Sequence, residues 1–404
     1  MSGRVAYEPA SVKDLLAEMK DTAELLIDLS YSAVLHRSDA IAEEVIALEE
    51  RMDVLQIRAR MSLLLAARNP EDAEMLAPVL GIIGAAEKIS DAAGDIAKVV
   101  LEDIGVPENM RASLPEAVES LVRAELDEES RYVDRTLGEI NLETDTGVRV
   151  IAIRRGGDWV FNPSAETTLL GGDVLLLRGT EEAIGDVYLA TTGMEYNRPE
   201  PPESGVADLE RAVDSLVLMK NMSELAVDLA YGSVLFDSDD IAEEVVELEA
   251  EVDALKSRFE AWTLRAAGRV EDPVGLRGLV HIATSTEVIS DAALEISEGV
   301  LRGLDAHVVV QEAVEESDEI IVRTTVQPGS ALAGTTLGDQ AVKTETGMGV
   351  IAVRRPGEEG AEWKIQPGPT TRIEAGDVLL AKGTRTGANI LRALAGEEPE
   401  PESY

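Results

Sequence analysis

Eight carboxylates stand in four pairs with a spacing of four: Glu49 and Asp53, Glu87 and Asp91, then Glu249 and Asp253, Glu287 and Asp291. Carboxylates four apart share one face of a helix. Two such helices laid side by side can offer four oxygen donors to a hard cation such as Mg²⁺ or Mn²⁺. Spacing alone says little, because 78 acids in 404 residues give about 15 such pairs by chance. These pairs stand out because they recur at matching positions of a repeated sequence, beside an apolar seam. A second set is basic. Arg154-Arg155 and Arg354-Arg355 end two nearly identical apolar runs, and guanidinium groups are suited to anions. On so acidic a chain the pair is either an anion-docking point or a local partner for neighbouring acids.

Composition removes most other chemistry. Cysteine is absent, so there are no disulfides, thiolate metal sites or thiol nucleophiles. Of the three histidines, His36 is replaced by Phe236 in the second copy, and His281 and His307 are too few for a histidine-rich site. No Gly-x-Gly-x-x-Gly follows a strand, and there is no Walker sequence, Gly-x-Ser-x-Gly or histidine-centred triad. The run GIIGAA (81–86) reads as a packing feature within a helix. A metal-dependent hydrolase would need a base or nucleophile set apart from the acids, and none is visible, so no enzyme is expected. A net charge of -42 repels nucleic acid and anionic lipid. With 9 Lys against 27 Arg and only 3% aromatics, the acidic excess is similar to that of proteins from salt-accumulating microbes, where salt screens carboxylate repulsion. No signal-peptide-like run and no stretch near ~20 apolar residues is present. The expectation is a soluble, cytoplasmic protein.

These residues are positioned by a tandem repeat. Tyr31 to Leu55 aligns without gaps on Tyr231 to Leu255, with 14 of 25 positions identical. TDTGVRVIAIRR (144–155) returns as TETGMGVIAVRR (344–355), and GGDVLLLRGT (171–180) as AGDVLLAKGT (375–384). Each half begins with three helical patterns, from Val12, after Ser38-Asp39, and at Asn69-Pro70, with Asp272-Pro273 opening the third helix of the second half. Three long helices with short links bury their seams as a bundle. The period then shortens to strands at 121–126, 149–155, 158–163 and 173–179, with a short helix over 136–147 ended by Gly147 and another from Glu181 to Leu189. Trp159 and Trp363 read as strand-face packing residues, and Tyr31 and Tyr231 as packing at the end of the first helix. The expected boundaries are 1–110, 111–195, 206–312 and 313–396. A proline-rich linker lies at 196–205 and an acidic tail at 397–404.

The strand-rich part resembles the TrkA-C (RCK-C) domain of TrkA-type potassium-conductance regulators. The match is carried by Thr-Leu-Gly (136–138; 336–338), T-G-(x)2-V-I-A-[IV]-R-R, Pro163 and Pro367, and G-D-V-L-L…[RK]-G-T. That resemblance implies dimerisation, across chains or as an internal pseudo-dimer. It also implies a small anionic ligand such as a cyclic dinucleotide, near Arg154, Arg155, Pro163, Arg354, Arg355 and Pro367. The helical part resembles PhoU through EKISDAAGDIA (87–97) and EVISDAALEIS (287–297). Asp95 and Glu295 stand where that family has Asn, and Lys88 and Val288 replace its Arg. The resemblance implies divalent metal at Glu49, Asp53, Glu87, Asp91 and Asp95, and at Glu249, Asp253, Glu287, Asp291 and Glu295. The expected fold is α+β and multidomain, with two PhoU-like antiparallel three-helix bundles alternating with two small α+β TrkA-C-like domains. The implied function is a cytoplasmic regulatory subunit of a cation channel or transporter, for potassium, with an integral-membrane partner in trans. The alternative is a PhoU-type regulator of phosphate transport.

Overall fold

The computed structural model describes residues 11–105, 120–142, 146–156, 158–161, 163–179, 181–196, 206–236, 238–302, 320–356, 362–365, 367–383 and 385–397. The linker after Tyr196 and the tail beyond Glu397 lie outside them. Helices α1 (Val12–His36), α2 (Asp39–Ala66) and α3 (Pro70–Leu101) form the first three-helix unit. Arg37 ends α1 in the left-handed conformation, and Ser38 caps α2 by accepting from the Ile41 N–H. A four-stranded domain follows: β1 (Ser120–Glu125), α4 (Leu137–Ile140), β2 (Arg149–Arg155), β3 (Asp158–Phe161), β4 (Val174–Gly179) and α5 (Glu181–Thr192). The second half repeats the order with α6 (Ala207–Phe236), α7 (Asp239–Ala267), α8 (Arg277–Leu301), β5 (Ile320–Thr325), α9 (Val342–Thr346), β6 (Gly349–Arg355), β7 (Glu362–Ile365), β8 (Val378–Gly383) and α10 (Arg385–Ala395).

Two local expectations need correction. The single short helix over 136–147 is broken, because Asn141 adopts a left-handed φ of 52° immediately after α4, as Ala341 does at 44° before α9. The third helix of the second half does not start at Asp272-Pro273. Asp272 caps a 3-10 turn, Pro273–Leu276, and the α-helix begins at Arg277.

The two helical units alternate with the sheets along the chain, yet in space they fuse into one six-helix body with a continuous apolar core. Helices α3 and α8 form the seam. They run in opposite directions: the Gly278 N–H donates to the Gly105 carbonyl at 3.0 Å at one end, while Gly299 faces Pro78 at the other. A side chain at 299 would sit 3.1 Å from the Pro78 ring, so glycine is what permits that approach. Leu26, Leu48, Met52, Ile83, Ile89, Ile96 and Phe259 are among the fully buried side chains. Gly81 and Gly84 of GIIGAA have no neighbour within 4 Å of where a Cβ would be. The other four residues of that run, Ile82, Ile83, Ala85 and Ala86, are buried in the helical core, so it is a packing feature carried by its apolar residues and not by its glycines.

Each sheet is antiparallel, ordered β1-β4-β2-β3 and β5-β8-β6-β7. One face, carrying Leu121, Ala152 and Leu176 or Ile321, Ala352 and Leu380, joins the helical core, with Trp159 and Trp363 packed beside it. The other face is covered by α5, through Ile184 and Val187, or by α10, through Ala388 and Leu391. Among the described residues no helix is long and apolar enough to cross a membrane.

Candidate functional site

Glu49 and Asp53 of α2 turn toward the same patch as Asp91 and Asp95 of α3, and Glu249 and Asp253 of α7 toward the same patch as Asp291 of α8. In the second half, oxygens of Glu249, Asp253 and Asp291 lie within 4.8 Å of one another. Partial burial raises the pKa of Glu249, and the charges of Asp253, Asp291 and Glu287 raise it further. Asp291 is raised by the same burial and by Glu287 and Asp253, with Lys256 opposing. Three carboxylate oxygens crowded this closely are a donor set suited to a hard divalent cation.

The first patch differs. Lys98 reaches into it, its Nζ 3.0 Å from Asp95 and 3.7 Å from Glu49. Glu49 lies flat against α3 where Gly94 leaves room, since a Cβ there would strike its carboxylate. In the second half position 294 is Leu and position 298 is Glu, so neither the recess nor the internal cation is repeated. Glu49 and Asp91 are raised by burial first and then by neighbouring acids, with Lys98 pulling both back. The remaining candidates are paired elsewhere. Glu87 accepts from Gln56 and Arg60, Glu287 pairs with Lys256, and Glu295 meets Lys88 across the α3–α8 seam.

The arginine pairs separate by role. Arg155 and Arg355 grip Asp173 and Asp377 of their own domains at 2.6–2.8 Å through two nitrogens each, and each also donates to a loop carbonyl. They brace the loop before β4 and β8. Arg154 and Arg354 point instead at the helices. Arg154 donates to Glu44 of α2 at 2.5 Å, and Arg123 of β1 meets the same oxygen at 3.3 Å. Arg354 and Arg323 repeat this on Glu244 of α7, both at 2.8 Å. Glu44 is 5% exposed and Glu244 2%. An anion docking on Arg154 or Arg354 in this arrangement would have to displace a glutamate. Pro163 and Pro367 stand half-buried beyond β3 and β7, outside these ion pairs.

Further polar groups line the groove between α1 and α6 under the sheets. Lys20 pairs with Glu24 and Lys220 with Glu224, each at 2.5 Å, and each lysine also lies over the tyrosine of the other helix, Tyr231 at 5.8 Å and Tyr31 at 5.7 Å. Arg178 of β4 pairs with Asp28. Burial, then Glu24, push Asp228 up to about 7 against the pull of Lys382 and Lys20, with Glu224 adding to the rise.

The helical units and the sheets each match a family profile twice: PhoU over residues 16–100 and 216–300, and TrkA-C over 121–190 and 321–396. The chain is built of PhoU and TrkA-C domains in alternation. Both are regulatory rather than enzymatic families. Among curated proteins none matches significantly. Among solved structures the chain is similar to PhoU from Pseudomonas aeruginosa, at 13% identity over 72% of this chain and 96% of that one, with a TM-score of 0.40. It is also similar to the GsuK RCK domain, at 14% identity over 78% and 79%, TM-score 0.20. The human SLO3 gating ring aligns at 10% identity over 77% and 75%, TM-score 0.24. Whole-chain scores this low carry no argument; the domain matches do.

Sequence reasoning missed the Glu44 and Glu244 clamps, which join each TrkA-C domain to its PhoU domain. One signal was available, since the run IAEEV at 41–45 returns unchanged at 241–245.

Proposed function

We propose that the protein regulates an integral-membrane cation channel or transporter, with potassium as the cation, as a cytoplasmic subunit. Its TrkA-C domains sense a small ligand and its PhoU helices carry the signal. The observation that supports this most is the duplicated clamp: one buried glutamate of each PhoU domain is held by arginines from two strands of the attached TrkA-C domain. A ligand that prefers one arrangement of sheet and helices would shift the population of both. Divalent metal belongs in this reading at Glu249, Asp253 and Asp291, where it would neutralise the patch and brace α7 against α8.

The carboxylate patches on a complete six-helix body favour a second reading, regulation of phosphate transport. Affinity capture of the tagged full-length chain from detergent-solubilised native membranes in high KCl separates the two. Recovery of a cation channel or transporter is the expected result. Recovery of a phosphate permease would replace the first reading with the second, and recovery of neither would remove both.

A further inference from the structure

Two guanidiniums converging on one carboxylate are an unequal match. Each arginine brings about five N–H donors, whereas a carboxylate offers about four lone-pair sites. The shortfall is visible. The Nε atoms of Arg154 and Arg354 are buried without a hydrogen-bond acceptor. Arg354 Nε lies 2.8 Å from Glu244 Oε2 but out of line with it, and that oxygen has no donor either. The arginine shortfall recurs in both halves, so it belongs to the arrangement and not to one local accident. A tetrahedral phosphate, with more oxygens and a bidentate fit to guanidinium, would use donors that the planar carboxylate leaves idle.

The seat is internal. Arg123 and Arg154 project from β1 and β2 on the sheet face that packs against the helices, and Glu44 reaches them from α2. Glu125, 3.8 Å from Arg123, and Glu247, 3.9 Å from Arg354, add negative charge at the rim. Simple anions are therefore disfavoured, and an entering group gains only by meeting donors that the glutamate cannot. Once the glutamate leaves, the sheet loses its Arg123 and Arg154 hold on α2.

We propose that Arg123 with Arg154, and Arg323 with Arg354, form receptors for a phosphate-bearing small molecule, with Glu44 and Glu244 as their tethered resident occupants. Ligand entry and release of the TrkA-C sheet from the PhoU helix are then one event. This rests on the reading that the TrkA-C domains sense a small ligand, and it names the ligand's charged group and the contact it breaks.

The test is calorimetric titration of the full-length chain with pyrophosphate in high KCl, alongside hydrogen exchange. Wild type should bind weakly, with faster exchange of amides in β1 and β2 on binding. E44Q/E244Q replaces a charged competitor by a neutral one and should bind about tenfold more tightly. R123Q/R323Q should lose binding. Should E44Q/E244Q fail to fold, E44D/E244D retains the charge but withdraws it by one methylene, and tighter binding is again expected. Equal affinity in wild type and the glutamate variant, survival of binding in R123Q/R323Q, or no binding to any variant would each overturn the receptor. Pyrophosphate binding that ignores every substitution would overturn it while leaving ligand sensing intact, and the membrane-capture result bears on the proposed function alone.

Discussion

Tyr31 and Tyr231 are repeat partners, both buried, both pushed to a higher pKa chiefly by that burial. Only one hydroxyl is satisfied. Tyr31 shares a 2.6 Å hydrogen bond with Thr286 of α8, whereas the position matching Thr286 in α3 is Ala86, and the Tyr231 hydroxyl has no partner. Tyr31→Phe should therefore destabilise by about 1 kcal/mol, and Tyr231→Phe should be neutral or stabilising, because it removes an unpaired buried group. Chemical denaturation of the two variants at one salt concentration checks the order, and equal losses would contradict it. At this scale the sequence displays which residues recur but not what they touch. Glu44 lies 79 and 110 residues from its two arginines, and no local period links such distant positions. The carboxylate pairs were legible because both members sit on one helix.

At the scale of elements, the two helix pairs that carry carboxylates are alike in sequence and unlike in charge. The ammonium of Lys98 already serves the α2–α3 patch, so the chain should take up one Mn²⁺ with measurable heat and not two. Asp291→Asn should abolish that heat, while Asp91→Asn should leave it within about twofold. Calorimetry in a fixed high KCl background decides this, and two equivalent sites would contradict it. The α1–α6 groove yields a pH dependence. Asp228 is raised in the folded state, so between roughly its unfolded value near 4 and about 7 the folded chain binds the extra proton. Stability from this group should rise as pH falls through that window and be lost above it. Asp228→Asn should raise the melting temperature above pH 7 and flatten its slope between pH 5 and 7; an unchanged slope would show that another group titrates there. The helices and strands themselves were largely legible from apolar period and caps. The break at Asn141 was not, because an isolated left-handed residue leaves only a weak mark in the sequence.

At the scale of the molecule, -42 charges surround a core built without many aromatics. The Debye length grows from ~3 Å at 1 M salt to ~30 Å at 0.01 M, so dialysis into low salt should cost helix content by circular dichroism and high KCl should restore it. A chain fully folded at low salt would remove the resemblance to halophilic proteins. The fusion of the two PhoU domains was the least legible feature, because repeat analysis delivers units and not their mutual packing. A trace of it is present in α3, whose buried positions 82, 83, 85, 86, 89, 92, 93, 96 and 97 are too many for one stripe. That second stripe has a consequence during synthesis. Helix α3 leaves the ribosome roughly 200 residues before α8, a wait of about 10–40 s at ordinary elongation rates. Through that interval its apolar flank has no partner in the nascent chain, and the nearest available substitute is the same flank of another nascent chain. A truncated first half should accordingly self-associate through α3, its repeat partner's stand-in, and sedimentation should find it as a dimer or larger.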